Sequence, residues 1–149
     1  MMQQNDRKRV LLVENDPHDA ELTLGALQAD GTAAQVDVVK DGEEALDYLY
    51  RRNGYKSRVE ANPVLIILDL NMPKLGGAET LQQIKADERF KCLPVIMLSS
   101  SRETQDVRMC YRLGANGYVV KPIHAKQFAK AIRELASFWV STNEAPPYP

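Results

Sequence analysis

Apolar and polar positions follow two different periods along this chain, and the change from one to the other marks its elements. Three short runs, Val10–Val13, Val64–Leu68 and Val95–Leu98, are apolar without interruption. Val36–Val39 and Tyr118–Val120 are weaker, but their β-branched residues also favour strands. Unbroken apolarity predicts strands covered on both faces, as in a parallel sheet between helices. The run centres lie roughly 25 to 30 residues apart, the length of one strand–helix–strand unit.

Between the runs the period becomes helical. Asp16 and Pro17 read as a cap and a first helical residue, with Asp19 three positions after the cap. Ala20, Leu24 and Leu27 then recur at helical spacing, and Gly31 supplies a stop. A second helix starts near Asp41, with Glu44 at the capping-box position and Ala45, Leu46 and Leu49 on one face. A third carries Ala78, Leu81 and Ile84; a fourth carries Val107 with Cys110 or Tyr111 and stops at Gly114. In the last and longest helix, Phe128, Ile132, Leu135 and Trp139 make one apolar stripe. Five strands alternating with five helices predict a doubly wound α/β sandwich.

These elements occupy residues 9–142, leaving a disordered N-terminal tail at 1–8 and a flexible C-terminal tail at 143–149 (NEAPPYP). The segment Arg51–Pro63 is longer than the usual connection of about two to six residues and reads as a solvated surface excursion. At 149 residues the chain is one domain's worth, which predicts no separate effector. Nineteen Lys and Arg against twenty Asp and Glu give a formal charge of −1. That balance removes the broad attraction that drives binding to nucleic acid or anionic membrane, so neither is expected as a partner. No apolar run approaches the roughly 18 residues of a membrane span. MMQQNDRKRV lacks the apolar centre of a signal peptide, and the expected location is the cytoplasm. Cys92 and Cys110, without CxxC spacing, read as buried free thiols. His18 and His124 have no partner at metal spacing and read as surface residues.

In an open parallel sheet, ligands bind beyond the carboxyl ends of the strands, near the point where strand order reverses. The residues at those ends are therefore the candidate site. Glu14, Asn15 and Asp16 follow the first strand; Asp69, Leu70 and Asn71 the third; Ser99, Ser100 and Ser101 the fourth; Lys121 and Pro122 the fifth. Several acids at one low-dielectric edge repel each other unless a cation or Lys121 neutralises them. A hard divalent cation such as Mg²⁺ suits that oxygen set. Such a site attracts a phosphoryl group, with Asp69 free to attack phosphorus and form an acyl phosphate. Lys121 would offset the new oxygens' charge, and Ser99 could donate to one of them.

LLVEN at Leu11–Asn15, LDLNMPKLGG at Leu68–Gly77, PVIMLSS at Pro94–Ser100 and GANGYVVKP at Gly114–Pro122 together resemble a response-regulator receiver domain. The resemblance runs from Arg9 to Val140 and implies a flavodoxin-like (βα)5 fold with strand order 2-1-3-4-5. Within the family the chain is similar to the single-domain regulators of cyanobacterial and bacterial phytochromes. The signs are the long loop before the third strand, LDLNMP followed by IKADERFKCLP, and Phe138-Trp139 closing the last helix. The resemblance implies Asp69 as phosphoacceptor and Lys121 as its phosphoryl-contacting lysine, with a cis bond before Pro122. It also implies Ser99 as the switch hydroxyl and Tyr118 as the aromatic that turns inward on activation. Glu14 and Asn15 match the two acidic metal positions, and Asn71 would lend its backbone carbonyl to Mg²⁺. A sensor histidine kinase, here a phytochrome, is the implied partner. Dimerisation across the fourth helix, fifth strand and fifth helix is the family's common mode, with Phe138 and Trp139 as candidate anchors.

One departure stands out. The second metal position, usually Asp, is Asn15, which predicts weaker metal binding, or switching that does not need phosphorylation, unless Asp16 compensates. Two other chemistries use similar parts. A haloacid-dehalogenase-like phosphatase also has a strand-end Asp and Mg²⁺, but its second Asp, two residues on, is here Asn71. A flavin carrier would need phosphate donors after the first strand, where Glu14 and Asp16 would repel. The expectation is a signalling module, not an enzyme, with at most slow self-dephosphorylation.

Overall fold

The computed structural model describes residues 8–28, 34–122 and 124–147. The stop expected at Gly31, most of the 1–8 tail and the last two residues lie outside them. Five parallel strands, β1 (Arg9–Val13), β2 (Gln35–Val39), β3 (Leu65–Asp69), β4 (Val95–Ser99) and β5 (Gly117–Val120), pair in the order β2-β1-β3-β4-β5. Between and after them run α1 (Pro17–Gln28), α2 (Gly42–Tyr50), α3 (Gly77–Ala86), α4 (Thr104–Arg112) and α5 (Ala125–Ala136).

The uninterrupted apolar runs are the central strands, and every residue of β3 and β4 is buried. Burying a Leu or Ile side chain there contributes about 1.5–3 kcal/mol, which the conformational entropy of ordering the chain largely offsets. Alternate residues face opposite ways, so the sheet divides the core in two. Leu11, Val13, Ile66, Leu68 and Met97 pack with α2 and α3 on one face. Val10, Leu12, Leu65, Ile67 and Leu98 pack with α1 and α5 on the other.

Helix starts follow their capping residues. Asp16 Oδ1 accepts from the His18 and Asp19 N–H groups, and Asp41 Oδ1 accepts from Glu44 N–H. Cys110 is the buried member of α4, while Tyr111 is half exposed. The other thiol, Cys92, is exposed, contrary to expectation, because it sits in the loop entering β4. Beyond Ala136 the last helix widens into a π-helical turn at Ser137–Thr142. The wider turn shifts the apolar stripe by one residue. Val140 takes the core position, Trp139 packs at its edge, and Phe138 points out.

The Arg51–Pro63 excursion is exposed along much of its length, yet it is anchored. Arg58 is buried with its guanidinium 4.1 Å from the Tyr48 ring centroid. Its Nε donates to Tyr48 O at 2.9 Å, satisfying a carbonyl in the last turn of α2, and Nη1 donates to Glu60 O at 3.0 Å. A buried arginine is not visible in a polar segment, which is why the loop reads as wholly solvated. The described part of the C-terminal tail, 143–147, has neither helix nor strand.

Candidate functional site

Backbone pairing runs one residue past three strands and so fixes what stands at the sheet's carboxyl edge. Glu14 N–H donates to Val39 O at 3.0 Å, Leu70 N–H to Leu98 O at 3.1 Å, and Lys121 N–H to Ser99 O at 2.7 Å. Glu14 and Asp69 thereby sit on neighbouring strands β1 and β3, across the switch point of the winding. The loop after β3 folds back tightly, with Gly77 N–H donating to Leu70 O at 3.0 Å. A Cβ at Gly77 would lie 2.3 Å from Asp69 O, so only glycine lets α3 begin this close to the candidate nucleophile. Lys74 and Leu75 in the same loop both take left-handed backbone angles, φ 54° and 61°.

Of the predicted site residues, Glu14, Asp69 and Lys121 meet in one cluster. Glu14 and Asp69 are buried, and Lys121 reaches in from β5. Its ammonium lies 3.1 Å from Glu14 Oε2 and 3.6 Å from Asp69 Oδ1. Its shortest contact is one that sequence reasoning missed, Asp19 Oδ2 at 2.9 Å. On paper Asp19 is accounted for as the third position after a cap. In the fold, however, Asp16 N–H donates to Glu14 Oε1, leaving the Asp19 carboxylate turned toward Lys121. The only available signal was a second acid one helical turn from Asp16 at the mouth of a cluster already rich in acids.

Electrostatics follow from this packing. Burial first, then the negative charge of Asp69 and a hydrogen bond with it, push the Glu14 carboxyl up to about 7. Burial alone would lower the Lys121 ammonium, but the Asp19 hydrogen bond and the charges of Asp69 and Glu14 outweigh it and hold it above its usual range. The pocket thus holds two close carboxyls, one of which stays protonated to near neutrality.

Asn15 is exposed beside Glu14, and the carboxylate of Asp16 is engaged in its cap, so Asp16 is not turned inward to replace the missing acid. Asn71 is exposed, its N–H directed at Asp69 Oδ1 at 3.4 Å. No three His, Cys, Asp or Glu side chains among the described residues form a metal-holding group. The oxygen donors available are two carboxyls and amide or carbonyl oxygens. That set fits a hard divalent cation, with less charge than three acids would supply.

Ser99 is fully buried at the end of β4, its Oγ accepting from Ser101 N–H at 3.0 Å. Tyr118, half-buried on β5, donates its hydroxyl to Ser101 O at 2.9 Å. Ser99 and Tyr118 are therefore joined through Ser101. Ser101 Oγ in turn accepts from Glu103 N–H and donates to Asp106 Oδ2 at 2.5 Å, starting α4. The expected cis bond is not there. No peptide bond among the described residues is cis, so Lys121–Pro122 is trans, the isomer that an X–Pro amide favours by about 0.5–1 kcal/mol. Phe138 and Trp139 meet edge to face, with ring centroids 5.1 Å apart. They line a surface depression with Tyr111, Tyr118 and Leu135, on the face made by α4, β5 and α5.

The response regulator receiver domain family model matches residues 10–133. Response regulator Rcp1 of Synechocystis sp. is 33% identical over 142 residues, 95% of each chain. A crystal structure of the phosphorylated cyanobacterial phytochrome response regulator RcpA superposes with a TM-score of 0.88 at 35% identity, covering 95% of this chain and 99% of that one. The bacteriophytochrome response regulator RtBRR is 49% identical, with a TM-score of 0.76 over 95% of this chain and 85% of that one. With the strand order, the strand-end acids and the half-buried lysine in place, this chain belongs to the response-regulator receiver family, and its relatives include phytochrome response regulators.

Proposed function

We propose that Asp69 accepts a phosphoryl group from the phosphohistidine of a sensor kinase, and that a phytochrome is that kinase. The observation that carries this reading is the buried Asp69 carboxylate at the switch point, with Glu14 beside it and the Lys121 ammonium 3.6 Å away. An Asp69 Oδ–P bond forms as the donor's P–N bond breaks, and the electron pair leaves on the imidazole nitrogen. The three phosphoryl oxygens arrive where Lys121 supplies positive charge and Ser99 a hydroxyl proton. Glu14, Asp69, the Asn15 side chain and the Asn71 carbonyl would hold Mg²⁺ or another hard divalent cation. When bound, the cation supplies charge neutralisation and alignment for the transfer. A relative, Rcp1, has a crystal structure in its Mn²⁺-bound form, which supports divalent binding here.

Drawing the Ser99 hydroxyl toward the phosphoryl group takes its Oγ from Ser101 N–H. Because Tyr118 is bonded to Ser101 O, the change passes to the α4–β5–α5 face. That face exposes Met109, Tyr111 and Phe138, and the reading assigns it to a second copy of this chain. Asn71, at the rim, would set a slow rate of self-dephosphorylation, with no other enzymatic activity. No helix among the described residues is long and apolar enough to cross a membrane, and a cytoplasmic location fits a kinase partner. The test is incubation with acetyl phosphate or a phosphorylated candidate kinase. Acid-labile labelling of the wild-type chain, lost in Asp69→Asn, is expected; labelling that persists in the variant refutes the assignment.

A further inference from the structure

The Lys121 ammonium has three protons and three carboxyl neighbours at unequal distances. Asp19 Oδ2 at 2.9 Å and Glu14 Oε2 at 3.1 Å are within hydrogen-bond range, and Asp69 Oδ1 at 3.6 Å is outside it. Glu14 approaches from β1 and Asp19 from the first turn of α1, so the two carboxyls draw the ammonium away from Asp69. Of the two, Asp19 is the nearer and the more solvent-accessible, with a side chain 29% exposed against 0% for Glu14. It is also free of the duty its position suggests, since the Asp16 N–H it would receive in a capping box goes to Glu14 Oε1 instead.

We infer that Asp19 is a positioning residue that holds the Lys121 ammonium out of hydrogen-bond range of Asp69, so that the lysine does not pair with the attacking carboxylate and one ammonium proton stays available to the incoming phosphoryl group. This rests on the phosphoacceptor reading of Asp69 and adds the control of its lysine. A phosphoryl oxygen built onto Asp69 reaches toward Nζ across the 3.6 Å gap, so Lys121 can meet it without leaving Asp19. Without Asp19, Lys121 closes on Asp69 Oδ1 and pairs with the carboxylate that must attack. Asn15 makes this more consequential. With one acid missing from the metal positions, fewer negative groups compete for Lys121, and Asp19 supplies a further charge beside it.

The test uses the full chain with phosphoramidate, a small P–N donor, in saturating Mg²⁺. In the step followed, Asp69 Oδ–P forms, P–N breaks and the already protonated nitrogen leaves as ammonia. Initial rates of acid-labile labelling are compared for wild type, Asp19→Asn and Asp19→Glu. Asp19→Asn is expected to label about two- to fivefold more slowly, the size of one partly exposed ion pair, and Asp19→Glu to recover most of the rate. A second readout needs neither metal nor donor. The ¹⁵N–¹H signal of the Lys121 ammonium, slowed in exchange by its ion pairs, should keep its position in wild type and Asp19→Glu and shift in Asp19→Asn as the pairing moves to Asp69. Labelling of Asp19→Asn at or above the wild-type rate, an Asp19→Glu variant no better than Asp19→Asn, or an unchanged ammonium signal overturns the inference. A wild-type chain that never labels, or an Asp69→Asn variant that does, instead overturns the phosphoacceptor reading and leaves the ammonium signal to judge Asp19.

Discussion

Glu14 offers a pH dependence whose sign and size both follow from the site. Its carboxyl is pushed from 4.5 to about 7 in the fold, by burial and by Asp69. In the unfolded chain it returns to its ordinary value, so between about pH 4.5 and 7 the folded state binds a proton that the unfolded state does not. Stability from this group is therefore fully present below about pH 4.5 and is lost as pH rises through 7. At ~1.36 kcal/mol for each pH unit between about 4.5 and 7, the loss comes to roughly 3 kcal/mol. A divalent cation must displace the same proton. Its apparent affinity should rise by up to about tenfold per pH unit toward pH 7 and level off above it. The perturbation is Glu14→Gln, which keeps the shape and the acceptor for Asp16 N–H while removing the titration. Urea denaturation of both proteins from pH 4 to 8, in chelator, isolates the group as the difference between their stability curves. The account expects the wild type to lose about 3 kcal/mol relative to Glu14→Gln over that window, with the loss reversed by excess Mg²⁺. Parallel curves, or a cation affinity flat between pH 5 and 7, would refute the reasoning.

Other substitutions test other parts. Asn15→Asp restores a carboxylate at the rim of the pocket and should raise Mg²⁺ affinity about tenfold or more, measured by calorimetry at pH 8; an unchanged affinity would mean that Asn15 does not face the cation. Arg58→Ala removes a buried guanidinium that bonds Tyr48 O and Glu60 O and stacks on the Tyr48 ring. It should cost about 2–4 kcal/mol in urea denaturation and loosen the 51–63 loop to limited proteolysis. Phe138→Ala trims one of the exposed aromatics of the α4–β5–α5 face. If beryllofluoride drives the wild type to a dimer in sedimentation, the variant should associate roughly thirtyfold more weakly, the ~2 kcal/mol of a central aromatic anchor.

The parts of this fold legible in the sequence are those in which one physical demand dominates. Val10–Val13, Leu65–Leu68 and Val95–Leu98 are buried on both faces, and an unbroken apolar run of that length fits little besides a strand covered on both sides. Asp16 and Asp41 cap where they stand because a short carboxylate before a helical run has one good use. Glu14, Asp69 and Lys121 could be grouped because topology alone brings the strand ends together. What stayed hidden depends on side-chain direction. Asp19 fits a cap position and a lysine tether equally well on paper, and only the diversion of Asp16 N–H to Glu14 separates the two. Arg58 lies in a polar stretch and is buried because α2 ends in carbonyls that need a donor. The π-helical turn moves Val140 into the core by a one-residue slip that no apolar stripe announces.

The central claim is that Asp69 itself carries the phosphoryl group. Borohydride reduction cleaves an acyl phosphate and leaves homoserine in place of the aspartate, so peptide mapping after phosphotransfer reads the acceptor directly. The account expects homoserine at position 69, only after exposure to a phosphorylated kinase or a small phosphoryl donor. Reduction at another carboxylate, Glu14 or Asp19 included, or none in a chain that carries the label, would contradict it.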